Sequence, residues 1–465
     1  MNDVLSVPVT NEGPVWDVVV AGAGPAGCAA AIAAAEEGSR VLLLERTCSP
    51  GGMGTSALVP CWCPFTDRHR RIHAGLAGRI LDRSKTGTPH VPAEQDDWVP
   101  IAAEHLKQVY DQALAEAKVA VRFDSFLAAV RCGDGDRVES VVVADKRGLR
   151  AIRATVFVDA TGDADLVARS GAPIHLGDDA GGELMPSTLC FVLANVHGFG
   201  DGTGPPPRRP NITMATAPGE LSILDRIRAD PRFHGIPDGH LVRGWVGPGC
   251  MGFNAGHVYG VDNTDPASLS RGIAEGRRLA QTYRDALAAY LPEFFADAFL
   301  VSTGSLLGTR ETRRIIADYE LTVDDYVARR SFADEICRNA YFIDIHLAST
   351  ENAGGAGWEQ RVHNRFTKYG PGESHGIPYR CLLPVGLRNV LVAGRCIGTD
   401  RPSNASVRVM PVCLNTGEAA GVAAAMALRH DGAVRAVASD PLRDRLRQRG
   451  AYLPCNRSGP TWPEE

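Results

Sequence analysis

Three groups of residues have types and spacings that could do chemistry. Asp344-Ile-His346 sets a carboxylate two residues from an imidazole, and an imidazole can take a proton near neutral pH once an acid orients it. On a strand these two side chains share a face; on a helix they do not. Arg310, inside Gly308-Thr-Arg310-Glu311-Thr-Arg313-Arg314, and Arg395, directly after Val390-Leu-Val-Ala-Gly394, offer planar forks for a carboxylate or a carbonyl edge. Glu311 and Asp318 are the acids that could occupy those forks instead. Gly22-Ala-Gly24-Pro-Ala-Gly27 has the glycine spacing that brings a backbone up to a diphosphate, with Glu45 further on as a partner for ribose hydroxyls.

The elements around these residues are the ones such chemistry needs. Residues 17–21 make a short β-branched strand, the glycine turn follows, and an alanine-rich helix runs to about Glu37. Gly38 closes that helix, Val41 to Leu44 makes a second strand, and Glu45 stands at its end. In this layout Gly22 permits the tight turn, Gly24 the approach of the diphosphate and Gly27 the packing of helix on strand. The helix N-terminus turns its amides toward the anion. A second match to the glycine pattern, Gly247 to Gly252, is followed by Phe-Asn-Ala-Gly-His-Val-Tyr-Gly, which no helix would choose, and reads as a turn.

Residues 1 to about 14 read as a loose lead-in. Gly51-Gly52-Met-Gly54-Thr55-Ser56 reads as a loop crossing the cofactor's ribityl and diphosphate region. Helices are expected at 74–85 and 101–118, then a meander of strands at 119–123, 126–132, 137–144 and 149–154 crossing one face of the nucleotide domain. A separate strand from 155 ends in Asp159-Ala-Thr-Gly162-Asp163, a carboxylate and glycine turn at a strand's carboxyl end. From 171 to 379 loops lengthen, prolines gather at 204–210 and histidines and aromatics rise, as in an inserted substrate domain whose main helix is 266–291. His375 and Tyr379 flank the return and are expected to line the pocket. A strand over 390–394 follows, then a loop to Met410, then a helix opened by Pro411 with Gly417 and Gly421 for close approach.

Composition narrows the class. The chain has 465 residues, 44% apolar and 22% charged, as an ordinary globular enzyme does. A formal charge of -5 leaves no footprint for nucleic acid or an anionic membrane. The single apolar stretch of membrane length carries the nucleotide glycines, and the N-terminus lacks a secretion signal, so a cytoplasmic location is expected. Twelve cysteines without a framework read as thiols; Cys61-Trp-Cys63 has neither zinc nor disulfide-reductase spacing, and no metal is expected.

Together the GAGPAG unit, the DATGD strand end and the AGR strand with its long helix resemble flavoproteins with a glutathione-reductase-like FAD fold. More narrowly, VDATGDADLVARSGAP, GTRETRRI, IDIH, IPYRCLLP, LVAGRCIG and SVRVMP are similar to motifs of a broad family of bacterial FAD-dependent oxidoreductases, over residues 16 to about 428. Two departures stand out: Thr399-Asp400-Arg401-Pro402-Ser403-Asn404 replaces a usual His–Ala pair, and Glu418 stands where the family has Gln.

The resemblance implies an α/β, Rossmann-like FAD-binding domain (15–170 and 380–430), an inserted α+β substrate domain (171–379) and a tail (431–465). It implies FAD with its diphosphate at Gly22, Gly24 and Gly27 and its adenosine ribose at Glu45. Arg46, Gly52 and Thr55 would lie along the diphosphate and ribityl chain. Gly162, Asp163, Gly394, Arg395 and the helix start at Met410 would lie near the ribityl and ring, where the helix dipole would favour charge on the reduced flavin. His346, Asp344 and Arg310 are the expected catalytic groups for hydride removal from a small organic substrate to flavin N5. An NAD(P)H-dependent flavin monooxygenase is the alternative, disfavoured because such enzymes commonly carry Gly-Asp where this chain has Gly394-Arg395. A non-catalytic flavin-binding protein is the alternative of another class. A small-molecule substrate and a homodimer are the partners admitted.

Overall fold

Val18, Val19 and Val20, like Val41 to Leu44, are continuous apolar runs because both faces of their sheet are covered. In the computed structural model, which describes residues 7–133, 135–178, 182–200, 207–215, 217, 219–346, 348 and 368–454, they belong to β1 (Val9–Ala21) and β2 (Val41–Leu44). Helix α1 (Pro25–Glu36) joins them as parallel neighbours. Then come β3 (Ala120–Arg122), β4 (Phe126–Cys132), β5 (Val138–Asp145) and β6 (Gly148–Asp159). The order across the sheet is β3-β2-β1-β6-β5-β4.

Two expectations change here. The lead-in is not loose from residue 9 onward: Val9 to Glu12 pair in parallel with Leu149 to Ile152 before a bulge resets the register at Trp16. These residues are exposed, so they carry no apolar alternation and their pairing is held by backbone alone. The expected strands at 149–154 and from 155 are one strand, β6. Its first half pairs antiparallel with β5 on one side while its whole length runs parallel to β1 on the other, so the meander extends the nucleotide sheet rather than crossing over it.

Beyond β6 the chain builds a second wall. It contains β7 (Ile174–Leu176), β8 (Ser187–Thr188), β9 (Phe191–Ala194), β10 (Leu241–Gly247), β11 (Cys250–Ala255), β12 (His257–Val258) and β13 (Phe299–Thr303). A four-stranded antiparallel sheet, β10-β11-β9-β13, has a core of its own in which Phe191 stacks on Phe253 at 5.0 Å beside Tyr283 of helix Pro266–Tyr290. The rejected glycine pattern is the β10–β11 hairpin turn. Then β14 (Arg313–Ile315) pairs with β7, β15 (Glu335–Asn339) with β16 (His375–Pro378), and β17 (Val390–Val392) returns to the first sheet beside β6. Ile315, Leu321, Ile336 and Ile377 pack in the same core as β1 and α1, so residues 171–379 serve both walls.

The expected loop before Met410 contains a helix, Arg401–Val407, which Asp400 starts by accepting from Ser403 N at 2.7 Å. The following helix, Met410–Ala427, lies directly on α1: a Cβ at Gly417 or Gly421 would fall 2.1 Å from Ala26 O or 2.2 Å from Ala30 O. The last described helix, Ser439–Gln448, is clamped to this pair, with Arg449 bonding Glu37 and Glu418 at 3.0 Å and also Glu36. Prolines 205 and 206 and residues 455–465 of the expected tail lie outside the described residues. Among the described residues no single helix is long and apolar enough to cross a membrane; one pair passes by composition, Arg401–Val407 with Met410–His430, but it is bent by 92° and mostly buried in the core.

Candidate functional site

A cavity of about 410 Å³ lies between the two walls. The carboxyl ends of β1, β2, β6 and β17 line one side, the usual ligand position in an open α/β sheet. Residues of β8, β10 and β11 line the other.

At one end the backbone is shaped for a diphosphate. Gly22 has φ +94, and a Cβ there would meet Ala160 O at 2.5 Å; a Cβ on Gly27 would lie 1.7 Å from Gly22 O. A Cβ on Gly24, by contrast, would meet nothing within 4 Å, so the space beside the start of α1 is open. Gly52 closes over this space near Gly24 Cα. Glu45 accepts from Ala23 N at 2.7 Å and Thr47 N at 2.8 Å, fixing the turn while its carboxylate stays on the cavity wall. Arg46, Gly162, Asp163, Gly394, Arg395 and Met410 line the same cavity. Two expected contacts do not. Gly27 is buried in the turn, and Thr55 is turned back into its loop, donating to Pro50 O at 2.6 Å, because the positive-φ glycines at 51 and 52 fold the loop around it.

Asp163 and Arg395 form a pair at 2.6 Å, and Asp163 also accepts from Thr312 Oγ1 and Asn263 Nδ2. Burial alone would push Asp163 up, but Arg395 and Thr312 hold it below the usual carboxylate range. The acids expected to pair with the two arginines are occupied elsewhere. Glu311 faces away from Arg310 toward Arg314 and Arg401, and Asp318 pairs with Arg435.

At the far end, Asp344 and His346 meet although they lie on neither strand nor helix: Nε2 to Oδ1 is 3.4 Å. Asp344 also accepts from Tyr341 Oη at 3.0 Å, and Arg408 donates to its main-chain oxygen at 2.8 Å. Burial, with Arg310 next, pushes His346 down to about 3. Burial works against ionised Asp344, but His346, Arg408 and Arg310 outweigh it and hold the carboxyl well below its ordinary range. Arg310 is buried beside this pair, and burial and Arg408 bring it down to about 10.

Sequence reasoning missed four groups at this end: Thr188, His240, Asn254 and Arg408. Arg408 sits inside the SVRVMP segment, which was the available signal; the others are assembled by strand pairing between distant segments. His375 and Tyr379, expected at the pocket, are buried elsewhere, bonded to Tyr369 and to Val434 O. The Cys61 and Cys63 thiols line the cavity, but burial pushes both up, Cys61 to about 12, so they are protonated and poor nucleophiles.

His240, His257 and His346 bring ring nitrogens within 4.8 Å of one another. The cluster does not fit a metal ion. The His240 and His257 rings are stacked 4.5 Å apart at 8°, and nitrogen lone pairs lie in the ring planes, so two parallel rings cannot aim at one ion. Arg310 also donates to His240 Nε2 at 3.1 Å, taking that lone pair.

A family model described as FAD dependent oxidoreductase matches residues 17–446. The chain belongs to the FAD dependent oxidoreductase family. It is therefore an enzyme, with FAD as its cofactor, and the glycine cradle and open space at Gly24 fit the FAD diphosphate. The chain is also 32% identical over 183 residues to digeranylgeranylglycerophospholipid reductase 2 of Methanopyrus kandleri; the match takes in 38% of this chain and 43% of that protein, less than half of either. Among solved structures, a geranylgeranyl bacteriochlorophyll reductase-like protein from Thermoplasma acidophilum is 12% identical with a TM-score of 0.44, covering 95% of this chain and 83% of the other. A p-nitrophenol 4-monooxygenase from Pseudomonas putida is 12% identical with a TM-score of 0.44, covering 94% and 84%.

Proposed function

We propose that this family member is a dehydrogenase or oxidase that removes a hydride from a small organic substrate held against the second wall. The observation behind this reading is that Arg310, Asp344 and His346 share one cavity with Gly24, Gly162 and Arg395, so an acid–base group and a cation face the FAD-binding residues. FAD, when bound, supplies the two-electron acceptor. The chain's own residues do the rest. Asp344 stays ionised and faces His346 Nε2, which leaves Nδ1 as the acceptor of a substrate proton. Neutral His346 is the form that can accept it. Apolar side chains around the pair, with Tyr341 and Phe342 among them, exclude water from the reacting end.

An anaerobic screen of small alcohols, amines and hydroxy acids is expected to find a substrate that bleaches the bound flavin. Stopped-flow mixing with NADPH is expected to leave the flavin yellow. Rapid bleaching by NADPH without substrate would overturn the reading in favour of a monooxygenase.

A further inference from the structure

We propose that the substrate is a small carboxylate whose anionic group docks on Arg310; this deepens the hydride-removal reading and rests on it only for the word substrate. Four arginines are buried among the described residues. Arg314 has Glu311 at 2.8 Å, Arg338 has Glu335 at 2.9 Å and Arg443 has Glu335 at 4.0 Å. Arg310 has no carboxylate within ion-pairing distance among the described residues. Its Nη1 donates to Pro186 O and Thr188 Oγ1, both at 2.9 Å, and its Nη2 to His240 Nε2 at 3.1 Å and Asn254 Oδ1 at 3.4 Å. All four acceptors are uncharged. Nε makes no hydrogen bond among the described residues, so the Nε–Nη2 edge, the fork that a carboxylate grips, is the least occupied part of the guanidinium.

Asp344 and Asp238 favour this cation only from beyond bonding distance, and no carboxylate touches it among the described residues. Arg408 is matched by Asp344, and the Arg395 charge by Asp163. His240, His257 and His346 are held neutral chiefly by burial, so they add no charge. A buried guanidinium without a contact ion pair is costly, and a ligand anion on its free edge lowers that cost. The anchoring groups Thr188, His240 and Asn254 belong to the wall opposite the glycine cradle, which assigns the anion to the substrate rather than to FAD.

Docking has a second effect. Arg310 is the strongest charge lowering His346, which is faced also by Asp344, His240 and His257; a carboxylate on Arg310 offsets that influence and makes His346 the better proton acceptor.

The test is calorimetric, on the FAD-loaded enzyme, with acetate, butyrate and benzoate each titrated beside its neutral amide. At least one acid is expected to bind about tenfold or more tighter than its amide. Arg310→Gln is expected to abolish that preference with one FAD per chain retained, and Arg310→Lys to restore part of it. The proposal is overturned if no acid outbinds its amide in the wild type, or if the preference survives in Arg310→Gln. It is equally overturned if Arg310→Gln leaves acid binding intact and shifts only the flavin midpoint potential, which would assign the cation to the cofactor. Should Arg310→Gln fail to fold, a wild-type preference for acids that Arg310→Lys leaves unweakened overturns it and a weakened one supports it. None of these readouts needs turnover, so NADPH bleaching would remove the hydride reading alone.

Discussion

The two walls of the cavity recognise their ligands with different materials. The first wall uses backbone: Gly22, Gly24 and Gly52 present amides and space, and the side-chain pair beside them, Asp163 with Arg395, satisfies itself. The second wall uses side chains: Arg310, His240, Asn254 and His346 are held by one another and by burial, with a guanidinium that no carboxylate touches among the described residues. Where backbone does the binding, a single methyl group decides the outcome. Where side chains do, charge and protonation decide it.

The sharpest way to break this contrast is on the glycines. Gly27→Ala would set a Cβ at 1.7 Å from Gly22 O, and a loss of about 3 kcal/mol or more is expected, seen as failure to obtain folded, yellow protein. Gly24→Ala meets no protein atom within 4 Å at a φ of -65, so the cofactor-free protein should keep its stability within about 0.5 kcal/mol in denaturant titrations. Its FAD affinity should fall about tenfold or more, because the added methyl occupies the diphosphate's space. Equal stability losses in the two variants would end the distinction between packing and ligand glycines.

On the second wall, His346→Ala should keep one FAD per chain while slowing substrate-driven flavin reduction by about 10²-fold or more, measured by stopped flow. Reduction at the wild-type rate would remove His346 as the base.

The pH dependence of stability sharpens the electrostatic side. His346, His73 and His375 are each pushed down to about 3 from an ordinary 6.5 by burial first. Because the folded value is the lower one, the unfolded chain binds more protons below 6.5. The stability these groups contribute is therefore complete above about 6.5 and is lost as pH falls toward 3. Each can steepen the decline by up to about 1.4 kcal/mol per pH unit, and His346→Gln should shallow the slope by about one proton's worth in denaturant titrations at pH 4 to 6.

The smallest effect is expected at the cysteines. Cys61→Ser should leave flavin content and reduction rate within about twofold, since the buried thiol is protonated and not a nucleophile, and acid denaturation should release the FAD intact. Flavin that stays with the denatured chain would contradict this.

These differences also explain what could be read from the chain alone. The first wall was legible because its recognition lies in contiguous residues: strand, glycine turn, helix and Glu45 are local, and glycine spacing states a backbone shape directly. Thr55 was misplaced because its direction depends on the left-handed turns at Gly51 and Gly52, which a pattern of small residues does not specify. The Asp344–His346 pair and Arg310 were visible as residue types, but not that Arg310 touches no carboxylate among the described residues. Adjacent Glu311 is the obvious partner, and only the path of the chain turns it toward Arg314 and Arg401. His240 and Asn254 were invisible, because their meeting depends on the β10–β11 register and on the seat of β8 beside β12. The first half of β1 escaped notice for a related reason: it is exposed, and its place is set by pairing with residues more than a hundred positions away.

The close seat of helix Met410–Ala427 on α1 has a consequence for biosynthesis. Ten residues of α1 are buried, and the surface that covers much of them is synthesised long after α1 itself. Until then an almost uninterrupted alanine face stays open to water and to other nascent chains, a condition that favours aggregation. Release of chains stopped before residue 410 should therefore yield chaperone-bound or insoluble product, whereas chains extended through Arg449 can close the sandwich and fasten it with the ion pairs to Glu36, Glu37 and Glu418.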